Sequence, residues 1–97
     1  MQPSNAEEDG WQRFLVLCSE AKSPDALHTL LTLFLTIEER KDIADRLLIV
    51  SDLLEGQQTQ RAIAENRQVS IAKITRGSNS LKMIDEPLRR FLTQYIK

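Results

Sequence analysis

TQRAIAENRQVSIAKITRGSNSLK, residues Thr59 to Lys82, decides how this chain folds. Thr59 has the hydroxyl to cap one short helix and Ser70 to cap a second, with Arg67, Gln68 and Val69 as the tight turn between them. Ala64 is small enough for two helices to cross over it, and Ile63, Val69, Ile71 and Ile74 are the apolar residues expected between them. The spacing predicts a helix-turn-helix over residues 59–83, with the helix from Ile71 onward offered to DNA. Basic side chains at Arg61, Arg67, Lys73, Arg76 and Lys82 are interleaved with Ser70, Thr75, Ser78, Asn79 and Ser80, which can donate to phosphates. The plainer reading is a helical hairpin with a solvated basic face.

Outward from this stretch, ninety-seven residues make one domain, expected as a helical unit over 11–97 behind a flexible arm at 1–10. Three Gly, three Pro and 41% hydrophobic residues, without strand-type alternation, predict an all-α chain. A monomer this short buries a modest fraction of its surface, which favours a core shared between two chains. No apolar run approaches the roughly 18 residues that span a bilayer, and the N-terminus has no signal-peptide pattern, so a cytoplasmic protein is expected. The single Cys18 cannot form an internal disulfide, and with the single His28 it makes no recognisable metal site. No nucleophile–base pair, metal set or phosphate-binding loop stands out, so an enzyme is the weakest reading.

The net charge of −1 argues against a nucleic-acid partner until the chain is divided. Residues 1–60 carry five basic and eleven acidic side chains, net −6, whereas residues 61–97 carry eight basic and three acidic, net +5. Phosphate attraction acts through the facing surface and is screened beyond about 8–10 Å, so a basic head can work on an acidic body.

Four further helices are expected. Trp11, Phe14, Leu15 and Cys18 form one apolar stripe on a helix ending near Ala21 or Lys22. Ser23, Pro24 and Asp25 start the next, in which Leu27, Leu30, Leu31, Leu33, Phe34 and Leu35 cover more than one face. One small subunit would struggle to bury them all, which points to an interlocked dimer. Thr36 and Glu39 have capping-box spacing before a helix Ile37 to Glu55, with Ile43, Leu47, Val50 and Leu54 on one side and a stop at Gly56. Arg46 reads there as a surface cation, paired with Asp42 or near Asp45. Asp85 caps a last helix with Leu88, Phe91, Leu92, Tyr95 and Ile96 as its stripe, expected at the dimer core.

Together, the run ITRGSNSLK from Ile74 to Lys82, the TQR at Thr59 to Arg61 and LFLTIEER from Leu33 to Arg40 resemble the tryptophan repressors. The separation of Leu35, Thr36 and Arg46 matches as well, and the resemblance covers nearly all of the chain. It implies a six-helix subunit in an intertwined homodimer that binds L-tryptophan as corepressor and then operator DNA. It places Arg46 and Arg76 on either side of the indole, with Arg76 also holding the carboxylate. Backbone carbonyls of Leu33 and Leu35 from the partner subunit, with Thr36 nearby, would meet the amino-acid end, Gly77 would allow close approach to the ring, and Ser80 would offer a hydroxyl. A planar guanidinium suits both duties, since it stacks on an aromatic face for roughly 0.5–2 kcal/mol and pairs with a carboxylate. A ligand acting as a wedge beneath the Ile71 helix would fix its tilt, so that paired heads meet major grooves about 34 Å apart on a palindromic site.

The expected DNA contacts are Arg61, Ile71, Ala72, Lys73 and Thr75 at the major groove, with Ser70 and Lys82 at phosphates. The chain departs from the family pattern at four positions. Gln68 and Ser70 stand where glycines are common, so a left-handed residue retained there would cost roughly 1 kcal/mol. Lys73 replaces a threonine and Ala64 a lysine, which moves a cation rather than deleting one. Two other functions share parts of this pattern: a tryptophan-independent helix-turn-helix regulator, and a helical adaptor that uses its apolar faces for protein partners.

Overall fold

The computed structural model describes residues 3–96, as six helices with no strand among them. They run α1 (Pro3–Glu20), α2 (Pro24–Phe34), α3 (Ile37–Glu55), α4 (Gln60–Arg67), α5 (Ile71–Lys82) and α6 (Glu86–Tyr95). The chain divides into two compact units, residues 1–37 and 38–97.

In the first unit, residues 3–10 of the expected arm belong to α1, while the first two residues lie outside the described part. α2 begins as its sequence dictates: Ser23 Oγ accepts from the Ala26 amide at 3.1 Å, and Pro24 occupies a first-turn position that needs no donor. Phe14 joins the two helices, stacking on Trp11 with centroids 5.6 Å apart and meeting Phe34 edge-on at 5.2 Å. Even so, no described residue of α1 or α2 is buried.

The second unit has a closed core. Ile49 of α3, Ile63 of α4 and Ile74 of α5 are each almost fully buried, and Leu53, Ala64 and Val69 pack around them. α3 ends at Gly56, whose φ of +72° is the left-handed conformation that stops a helix. Thr59 Oγ1 accepts from the Ala62 amide, Ser70 Oγ from the Lys73 amide and an Asp85 carboxylate oxygen from the Leu88 amide, so each of α4, α5 and α6 starts at the expected cap.

One expectation about packing is corrected here. Ile71 is not between the helices: it is 53% exposed, because the buried line on α5 runs Ile74, Gly77, Leu81 and Val69 packs at the turn end of the core. On α3 the buried face is Ile49, Asp52 and Leu53, while the expected stripe stands apart from it: Ile43, Leu47 and Val50 line one groove, Ile43 and Leu47 exposed and Val50 and Leu54 partly covered. α6 likewise buries nothing, with Phe91 and Tyr95 side by side and open to solvent.

Candidate DNA-reading head and ligand cleft

α4 and α5 meet through the turn at Gln68, Val69 and Ser70. Gln68 adopts φ 55°, ψ 47°, and its amide and that of Val69 reach back to carbonyls of Glu65 and Ala64, which ends α4 abruptly. Ser70 is extended and caps α5. Gln60 Nε2 donates to Ser78 Oγ at 3.3 Å, tying the start of α4 to the middle of α5. Of the residues expected at DNA, Arg61, Ser70, Ile71, Ala72, Thr75 and Lys82 are exposed on this head.

Lys73 is placed differently. Its ammonium turns back onto α3, 3.1 Å from Asp45 Oδ2 and 3.3 Å from Asp42 Oδ1. Asp45 also accepts from Lys41 at 2.8 Å, and the hydrogen bonds from Lys41 and Lys73 hold its carboxyl below the usual value. Reciprocally, the bonds from Asp45 and then Asp42 raise the Lys73 pKa. Arg67 is engaged in the same way: Nε and one terminal nitrogen donate to the two oxygens of buried Asp52 at 2.8 and 2.9 Å, which depresses the Asp52 pKa and raises that of Arg67. Two of the five cations assigned to the head are therefore matched by carboxylates of α3. The sequence marks Asp42 and Asp45 only as neighbours of Arg46 and does not single out Asp52, since nothing in their spacing says that α4 and α5 would lie against them.

With Asp42 and Asp45 taken by lysines, Arg46 is not paired as expected; among the described residues neither it nor Arg76 has an ion-pair partner. Both arginines line a cavity of about 110 Å³ between α3 and α5, with Asp42, Asp45, Ile49 and Lys73. Arg46 and Asp42 also border a larger apolar groove of about 490 Å³, reached by Ser80 and floored by Leu47, Leu81 and Leu92. Gly77 is buried where α5 crosses α3: a Cβ built there would lie 3.0 Å from Ile49 Cγ2 and 3.8 Å from Arg46 Cδ. The structure thus gathers Arg46, Arg76, Gly77 and Ser80 in the second unit. Leu33, Leu35 and Thr36 belong to the first, at the end of α2.

A two-helix motif and an arginine-lined cleft coexist in one small helical unit, and known proteins match nearly the whole of the chain that builds them. The family model described as Trp repressor protein matches residues 9–96. The chain belongs to the Trp repressor family. Among its relatives is a Trp operon repressor homolog of Chlamydia trachomatis serovar D, 53% identical over 92 residues, or 95% of this chain and 98% of that one. One from Chlamydia caviae is 55% identical over 94% of this chain and 88% of its own length, and one from Vibrio cholerae serotype O1 is 40% identical over 98% and 89%. The Trp repressor family is one of DNA-binding transcriptional regulators, not of enzymes. No helix among the described residues is long and apolar enough to cross a membrane.

Proposed function

We propose that this chain is a tryptophan-dependent repressor: a cytoplasmic homodimer that takes L-tryptophan as corepressor and then binds operator DNA of tryptophan biosynthesis or transport genes. The observation that carries the reading is the cleft between α3 and α5, where the two exposed arginines, neither with a carboxylate partner, line a mostly polar cavity beneath the reading helix and Arg46 also borders the adjoining apolar groove. That donor set suits an aromatic amino acid, because one group type meets both the ring face and the carboxylate. Small-molecule pockets run from roughly 300 Å³ upward, so the cavity at Arg76 needs the adjoining groove at Ser80, with which it shares Asp42 and Arg46.

Arg46 on α3 and Arg76 on α5 would hold the ligand, with Ser80 beside them and Leu33, Leu35 and Thr36 contributed by the partner subunit. A flat ring held between the two helices sets their spacing and hence the tilt of α5. Gly77 and Ile49 are the contact about which that tilt pivots. Arg61, Ile71, Ala72 and Thr75 would then face the major groove, Ser70 and Lys82 its phosphates, and Lys73 would reach DNA only after leaving α3. The ligand promotes binding only by its preference for the DNA-competent tilt, typically about 1–3 kcal/mol, and DNA tightens the ligand by the same factor.

The test is retention of a short duplex, selected by the protein from a randomised pool, with and without L-tryptophan, alongside calorimetry of L-tryptophan with the free protein. Heat of binding and ligand-dependent retention are expected. Retention without any heat at millimolar ligand would favour the tryptophan-independent regulator, and no salt-sensitive retention at all would favour the adaptor. Gly77→Ala should remove the heat while the protein stays folded by circular dichroism; unaltered affinity would reject the cleft.

A further inference from the structure

We propose that Asp45, with Asp42 beside it, holds Lys73 away from DNA in the free protein, so that operator affinity depends on how readily α3 yields this cation to a phosphate. The inference rests on reading α5 as the DNA-facing helix.

Lys73 stands in the first turn of that helix, among Ile71, Ala72 and Thr75, which are all exposed. A free lysine there has the length to reach a phosphate. Instead its ammonium lies between two carboxylates three residues apart on one face of α3. The Asp45 side chain is 17% exposed and that of Lys73 37%, so the pair is less open to salt than a rim contact. Lys41 closes on the same Asp45 oxygen from the solvent side. Two lysines and two aspartates make the cluster neutral, which removes one positive charge from the reading surface. A phosphate binding Lys73 must displace both carboxylates, and it meets their negative charge as it does so. Asp42 and Asp45 are thus positioning residues for DNA binding, acting through Lys73.

A double-mutant cycle on the full chain with L-tryptophan present tests this, using the duplex selected by the wild-type protein and a series of KCl concentrations. Asp45→Asn should raise affinity roughly three- to fivefold and steepen the log–log salt dependence by about one, as expected for one added phosphate contact. In the Lys73→Met background the same substitution should change neither quantity. An Asp45→Asn variant with wild-type affinity and slope overturns the proposal, and so does an equal gain with and without Lys73, which would be a general charge effect. Thermal melts check that each variant folds, and Asp42→Asn replaces Asp45→Asn in the cycle where the latter does not. A wild-type chain that retains no duplex overturns the DNA-reading assignment and this inference together, whereas normal retention with a null cycle overturns this inference alone.

Discussion

α2 and the α3–α4–α5 group are built from similar apolar residues and end in opposite conditions. α2 carries Leu27, Leu30, Leu31, Leu33 and Phe34 within eleven residues and buries none of them. The other group closes a core with one isoleucine from each helix. α3 shows both conditions on a single helix, with Ile49 covered and Ile43 and Leu47 open. The difference separates what one chain can complete from what it cannot. A helix-turn-helix against one further helix has enough short-range contact to exclude water around three side chains. The large faces of α2, α6 and outer α3 exceed what a chain of this length can cover. In the proposed dimer, those faces are the ones a second copy buries.

Placing a charge on one of the open faces should have the largest effect. Leu47→Glu leaves the exposed residue hydrated in an isolated chain but puts an unpaired carboxylate into any interface formed there. Sedimentation should show a monomer, with operator retention reduced by at least about tenfold. An unchanged dimer would place the interface elsewhere and end the contrast between the two faces of α3.

Next in size is the closed core. Ile63→Ala should lower unfolding free energy by roughly 2–5 kcal/mol in a denaturant titration, because Ile63 has no exposed surface and its neighbours are helices that cannot collapse inward. Ile71→Ala, on a residue 53% exposed, should stay within about 0.5 kcal/mol of wild type. Equal losses at the two positions would mean that the turn packs differently from the arrangement described.

Asp52→Asn probes the polar seam between these regions. The Arg67 guanidinium holds the Asp52 carboxyl below its usual value of 3.8. Stability from this pair is therefore fully present above that usual value, and it is lost as pH falls through the lowered one. The variant should melt several degrees below wild type at neutral pH, and the gap should close in acid. A gap independent of pH would assign the loss to packing rather than to the ion pair.

Local chemistry was legible in the sequence. The caps at Ser23, Thr59, Ser70 and Asp85 and the stop at Gly56 depend on residues within a few positions of one another, and all five stand where they were expected. Charge was less legible. Dividing the chain at residue 60 made residues 61–97 net +5, yet Asp42, Asp45 and Asp52 come from the acidic half and lie against Lys73 and Arg67. Proximity along a chain is a poor guide to proximity in space once helices fold back. Of the proposed ligand cleft, the family resemblance named Arg46, Arg76, Gly77 and Ser80. It did not indicate that Ile49 of the same chain is what a side chain at 77 would meet. That contact depends on how closely α3 and α5 approach, which is a tertiary property.

The smallest expected effect comes from the turn that joins the two reading helices, and it sharpens the comparison because the turn's two unusual residues are not equivalent. Gln68 and Ser70 both stand where the family resemblance places glycines, but only Gln68 has the left-handed backbone, while Ser70 is extended and its hydroxyl accepts from the Lys73 amide. A Cβ in the left-handed region is crowded by the neighbouring carbonyl, and glycine relieves this while adding freedom to the unfolded chain. Gln68→Gly should therefore raise stability by up to about 1 kcal/mol. At the cap the sign reverses: Ser70→Ala should lower stability by about 1 kcal/mol through loss of the acceptor. Urea titration of the two variants against wild type decides the matter. Stabilisation by Gln68→Gly with destabilisation by Ser70→Ala would show that this head retains one strained residue and has turned the other position into a cap, whereas shifts of the same sign would mean that the two sites share one backbone conformation.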